Sequence, residues 1–162
     1  MRRAFLSVFV VALMTVTAQA ASAATNGAHF MSVSASINDG GALVVAWDEA
    51  GLGNENIDYT LNADATATYA CINNGGHHPK ASNKETVADQ VATGGSFQAR
   101  NGRVKAGLTA GPLQDPSFQC PSGQTRILAK VTYSNIVLTD TTNNVSAEPA
   151  DVCRSFSSLF PC

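Results

Sequence analysis

Apolar and polar residues alternate most regularly between Ile57 and Cys71. The odd positions are Ile57, Tyr59, Leu61, Ala63, Ala65, Ala67, Tyr69 and Cys71. The even positions are Asp58, Thr60, Asn62, Asp64, Thr66, Thr68 and Ala70, and only Ala70 breaks the pattern. A period of two predicts β-structure with one buried face and one wet face. The run is long for one strand, so a bend is expected near Asn62-Ala63-Asp64. From Met31 to Ile37 the same period places Met31, Val33, Ala35 and Ile37 inside and Ser32, Ser34 and Ser36 outside. Asn38-Asp39-Gly40-Gly41 is a turn signal, with Ala42 to Trp47 as the returning strand of a hairpin.

Farther on, Ser96 to Arg100 and Arg103 to Thr109 flank Asn101-Gly102, a dipeptide suited to the positive φ angles of a type I′ turn. This predicts a second hairpin. Ile127, Ala129, Val131 and Tyr133 alternate with Leu128, Lys130, Thr132 and Ser134. The pattern then slips one position to Ile136 and Leu138, which predicts a bulge at Ser134-Asn135. Lys84 to Ala92 reads as a further strand. About seven strands with turns between them imply an all-β protein, an antiparallel β-sandwich of immunoglobulin-like topology. A jelly roll or small barrel is the alternative. The expected organisation is a signal peptide over 1–24, the sandwich over 25–142 and a C-terminal tail over 143–162. In that tail Val152, Phe156, Leu159 and Phe160 are expected to dock on the body.

The leader carries Arg2 and Arg3, an apolar run from Ala4 to Val16, and the small-residue sites Ala18-Gln19-Ala20 and Ala21-Ser22-Ala23. That is the secretory pattern, and its apolar run is too short to span a bilayer. Cys71, Cys120, Cys153 and Cys162 all follow it, and an even number in an exported chain implies disulfides. Of the three possible pairings, spacing favours Cys71–Cys120 and Cys153–Cys162. Four cysteines without a C-x-x-C pair argue against zinc. Ten basic residues less Arg2 and Arg3 leave 8 against 12 acidic ones, a mature net charge of −4. Such a surface is a poor partner for nucleic acid, whose binding needs basic charge.

Candidate chemistry is sparse. Trp47, His77 and His78 are the candidate ligand contacts. Adjacent His77 and His78 point to opposite sides of an extended chain and chelate poorly, and His29 joins them only through the fold. Loop Asp48 to Asp58 holds Asp48, Glu49, Asn54, Glu55, Asn56 and Asp58, oxygen donors of the kind that bind Ca²⁺, but without EF-hand spacing. Trp47 with Tyr59, Tyr69 and Tyr133 could stack on a sugar, although parity assigns the tyrosines to the core. Nucleophile-elbow, zinc-protease, P-loop and dinucleotide motifs are missing, so no catalytic residue, metal or cofactor is expected. Asn144-Val145-Ser146 fits the N-glycosylation sequon.

A strand ending in Trp47 is followed by Ala50-Gly51-Leu52-Gly53-Asn54 and a Thr-rich strand into Cys71. Then come an Asn-Gly-Gly loop with Pro79 and Asn83, Asn101-Gly102 and Cys120-Pro121. In this order of features the chain resembles an uncharacterised family of small secreted β-sandwich proteins of actinobacteria and fungi. The resemblance runs from about Ala28 to Thr139, excludes the Cys153–Cys162 tail, and implies an exported β fold without assigning an activity. The expected function is that of a secreted, non-catalytic envelope or matrix component, or a binding module for an extracellular ligand. A protease inhibitor working through Pro112 to Pro121 and a glycan-binding module are the alternatives, with a cryptic hydrolase more distant.

Overall fold

The computed structural model describes residues 27–73 and 83–162. Its strands are β1 (His29–Ile37), β2 (Leu43–Ala50), β3 (Asn56–Asn73), β4 (Lys84–Gln98), β5 (Arg103–Ala110), β6 (Gln124–Asp140), β7 (Val145–Ala147) and β8 (Val152–Ser155). No α-helix occurs among the described residues, and hence none long and apolar enough to cross a membrane. One antiparallel sheet has the order β1-β2-β5. The other has the order β4-β3-β6-β7, with β8 on a separate stretch of β6. First, second and fifth strands face third, fourth, sixth and seventh, an immunoglobulin-like sandwich rather than a jelly roll or closed barrel.

The alternation on β3 is the reason for this packing. Every odd residue from Ile57 to Cys71 is buried between the sheets. They meet Leu43, Val45 and Trp47 of β2 and Val131, Tyr133, Ile136 and Leu138 of β6 in one core. Each large aliphatic side chain so buried contributes about 2 kcal/mol. The tyrosine hydroxyls find acceptors within the fold. Tyr133 donates to the Gly41 carbonyl at 2.8 Å and Tyr69 to that of Leu113 at 2.7 Å. The pairing of β3 with β6 shifts between Asn62 and Asp64, opposite Asn135, whose φ is +49°. The bend and the bulge read from the sequence are therefore one feature.

β3 and β6 outrun the smaller sheet, and the loop between β5 and β6 covers their excess length. Leu113 and Phe118 pack on the core, and Cys120 is bonded to Cys71. Asp115 Oδ1 fixes the loop by accepting from the Ser117 and Phe118 amides and the Ser117 hydroxyl. Gly111 begins the loop at φ +73°, and a Cβ there would lie 2.6 Å from the Tyr133 hydroxyl, so only glycine fits.

Four expectations need correction. Met31 is exposed: the β1–β2 register shifts between Phe30 and Ser32, and Met31 is the extra residue of a bulge. Asn101-Gly102 does form a tight turn, at φ +53° and +73°. The strands it joins are not a hairpin, because beyond the Arg100–Arg103 bridge β4 and β5 enter different sheets. β2 continues past Trp47 to Ala50, so Asp48 and Glu49 belong to a strand. The segment 143–162 is no mere tail, since β7 and β8 both extend the larger sheet on β6. Beyond β8 the chain folds over the outer face, where Lys130 Nζ donates to the Pro161 carbonyl and Lys84 lies over the Phe160 ring. Ala70 pairs with Lys84 and is fully buried on that outer face.

Candidate functional site

Strand alternation sends Glu49 inward with Leu43, Val45 and Trp47, and Asp48 outward. Asp140 enters the same interior from the end of β6, and both acids are completely shielded from solvent. Glu49 Oε2 accepts from the Tyr59 hydroxyl at 2.7 Å. Asp140 accepts from the amides of Thr142 and Asn143 and from Asn143 Nδ2 at 2.6 Å, closing the turn that leads into β7. Burial pushes the Glu49 carboxyl up to about 7; the Tyr59 hydroxyl opposes this and the neighbouring Asp140 reinforces it. Burial, and then the Glu49 acceptor, also raises the Tyr59 phenol well above its usual range. Glu49 Oε1 and Trp47 Nε1 are sealed without a hydrogen bond of ordinary geometry.

Two carboxyls with one poised near neutrality are the equipment of acid–base chemistry. Here both are buried, and the Tyr59–Glu49 bond links the two sheets. It was hidden in the sequence because Glu49 reads naturally with the acidic loop that follows. Extending the parity of Leu43, Val45 and Trp47 by one step would have placed it inside.

The other expected site residues do not converge. Trp47 is buried, tilted against Tyr59 at 4.7 Å and edge-on to Phe97 at 5.3 Å, which removes it as an exposed stacking platform. Tyr59, Tyr69 and Tyr133 are core residues, as parity indicated. His77 and His78 lie outside the described residues. His29 is exposed and bonds through Nδ1 to the Gly27 carbonyl at 2.5 Å. Asp48 is held by Arg103 and Lys105, and chiefly the Arg103 bond lowers its carboxyl to about 2. Asn54, Glu55, Asn56 and Asp58 are exposed. Among the described residues no group of three His, Cys, Asp or Glu is arranged to hold a metal. Both disulfides pair as spacing favoured, Cys71–Cys120 and Cys153–Cys162. Asn144 is exposed in the β6–β7 turn at φ +58°.

The outer face of the larger sheet is largely polar along β3. Thr60, Asn62, Asp64, Thr66 and Thr68 of β3 pair with Gly94, Ala92, Gln90, Ala88 and Thr86 of β4. Thr68 and Thr86 are hydrogen-bonded at 3.2 Å, Thr139 and Ser146 at 2.9 Å. Asp64 accepts from Asn135 and Gln90, which together lower its carboxyl.

No family model matches this chain, and no curated protein matches it. Among solved structures, a β-glucuronidase of Bacteroides uniformis aligns at 11% identity with a TM-score of 0.28. The alignment covers 80% of this chain and 13% of that one, so the chain spans about an eighth of the enzyme's length. At that distance the likeness carries no argument about fold or activity.

Proposed function

We propose that this is an exported, non-catalytic binding module that holds an extracellular ligand or surface component on the outside of a disulfide-braced sandwich. The observation behind this reading is the sealed pair: the two acids best suited to catalysis are fully buried, Glu49 bonded across the sheets to Tyr59 and Asp140 closing the turn into β7. The leader pattern and two disulfides support export to an oxidising compartment. The test is to incubate the oxidised protein with extracellular polymers, among them peptidoglycan, chitin, cellulose and pectin, and follow adsorption and product release together. Adsorption without turnover is expected. Turnover that disappears in Glu49→Gln would overturn the reading.

Protease inhibition is the second reading, favoured by the bracing of loop 111–123 through Cys120 and Asp115. Its exposed residues Gln114, Pro116, Ser117 and Gln119 would face the protease, while Leu113 and Phe118 serve the core. Unimpaired activity across a serine-protease panel would remove it.

A further inference from the structure

At one corner of the sandwich the two sheets part. Arg100 and Arg103 exchange both backbone hydrogen bonds, at 2.9 and 3.2 Å, so they stand directly opposite each other across the Asn101-Gly102 turn. In such a pair both side chains leave on the same face. Beyond it β4 and β5 diverge and leave a groove of about 460 Å³. Phe97 and Val104 form its apolar lining, and Gln98, Arg100, Arg103 and Lys105 its polar rim. Phe97 is held edge-on by Trp47 at 5.3 Å and by Tyr59 at 5.9 Å, so that lining is fixed by the core.

The charge there is unbalanced. Asp48 pairs with Arg103 and Lys105, whereas Arg100 has no carboxylate within ion-pair distance among the described residues. Like charges directly opposed on adjacent strands are destabilising. Three cations, Arg100, Arg103 and Lys105, line the groove; Asp48 pairs with the last two, and Glu55, whose carbonyl accepts from the Ala99 amide, makes no ion pair among the described residues. An anion seated beside Arg100 would relieve that repulsion. The guanidinium presents a planar fork that matches a carboxylate with two parallel bonds. One unpaired arginine suits one anionic group, not a polyanion.

We infer that this groove binds a small organic anion with a flat apolar body, an aromatic carboxylate, its carboxylate held by Arg100 and its ring laid against Phe97. The inference rests on the binding-module reading and names a site and a ligand class for it. Hydrogen-bond energy comes from the guanidinium, and the apolar lining supplies the preference for an aromatic ring.

The experiment is an NMR titration of the oxidised protein with 2-naphthoate, and in parallel with 2-naphthamide and inorganic phosphate. Naphthoate should shift the amide resonances of Phe97 to Lys105. Naphthamide and phosphate should each bind at least about tenfold more weakly, and Arg100→Gln should weaken naphthoate about tenfold. Arg100 is exposed, so the variant should fold, and an unchanged spectrum away from the corner checks that it has. Equal binding of naphthamide, equal binding of phosphate, or undiminished binding by the variant would each overturn the site. If the site falls while the protein still adsorbs to an extracellular polymer, the binding-module reading survives. Turnover of such a polymer would remove that reading whatever the groove does.

Discussion

Glu49 of β2 and Asp140 of β6 set two carboxyl groups against each other in the interior, one from each sheet. Both are fully buried, in a core otherwise made of aliphatic and aromatic side chains. A buried carboxylate beside another is costly, and the pair persists because Tyr59, Asn143 and two backbone amides supply donors. The Tyr59–Glu49 bond thus links the sheets through a carboxyl whose charge depends on pH.

The pH dependence of stability follows from the sign of the Glu49 shift. Its carboxyl titrates near 7 in the folded chain and near 4.5 when unperturbed, so between these values the native state binds the extra proton. Its stabilising contribution is complete below about pH 4.5 and is lost as pH rises through 7. The groups facing it are Tyr59, Asp140 and, more distantly, His29. Asp48, Asp64 and Asp115 have lowered values, so their contributions are lost only in stronger acid. Denaturant unfolding should show stability falling by about 2 kcal/mol between pH 5 and pH 8. Glu49→Gln keeps an acceptor for Tyr59 and removes the titrating group, and it should flatten that slope. An equally steep decline in the variant would assign the titration elsewhere.

Tyr59→Phe tests the same cluster from the other side. It removes the hydroxyl bonded to Glu49 Oε2 and leaves a buried acceptor unsatisfied, at a cost of about 1–3 kcal/mol. Because the Tyr59 bond lowers the Glu49 value, its loss should also move the pH midpoint upward. Urea melts at several pH values would report both effects. A destabilisation without any midpoint shift would mean that the hydroxyl acts only through packing.

Gly111→Ala should be among the harshest single-methyl additions available. The residue sits at φ +73°, and the new Cβ would come within 2.6 Å of the Tyr133 hydroxyl, which is itself bonded to Gly41. Strain in the backbone and displacement of Tyr133 together should cost about 2–3 kcal/mol, read from the shift in unfolding midpoint. Adding Tyr133→Phe takes away the clashing oxygen and should recover part of that loss. No recovery would place the cost wholly in the backbone.

What the sequence disclosed, and what it concealed, has a physical pattern. The alternation from Ile57 to Cys71 was legible because one face of β3 is buried along its whole length. Ala70 was visible as an anomaly, but nothing local marked that a segment more than eighty residues later returns to that face, against Lys84 and Lys130. Asn101-Gly102 announced a chain reversal, because positive φ belongs to those two residues. Whether the joined strands stay paired is decided by β2 and β3, which compete for them. Met31 was misplaced because a bulge inserts a residue without a compositional signal. The groove at Arg100 was out of reach for the same reason as the hairpin, since it exists only where the sheets separate.

The two disulfides should differ sharply in their response to reductant. Cys71 is buried beneath the loop that Cys120 anchors, whereas Cys153 and Cys162 are both exposed. Thiol–disulfide exchange requires access to sulfur, so mild reduction of the native protein should open Cys153–Cys162 first. The closed loops differ too, with sequence separations of 49 and 9. Chain entropy then predicts a loss of about 4 kcal/mol for removing Cys71–Cys120 and about 3 kcal/mol for Cys153–Cys162. The partly reduced form should therefore stay folded, since β8 keeps its pairing with β6 and Arg154 still binds the Ile37 carbonyl and Asp39. Alkylation during stepwise reduction, followed by peptide mass mapping, should find labels on Cys153 and Cys162 while near-UV circular dichroism is unchanged. Labels appearing first on Cys71 would mean that loop 111–123 opens more readily than its packing allows, and the bracing assigned to Asp115 and Phe118 would have to be withdrawn.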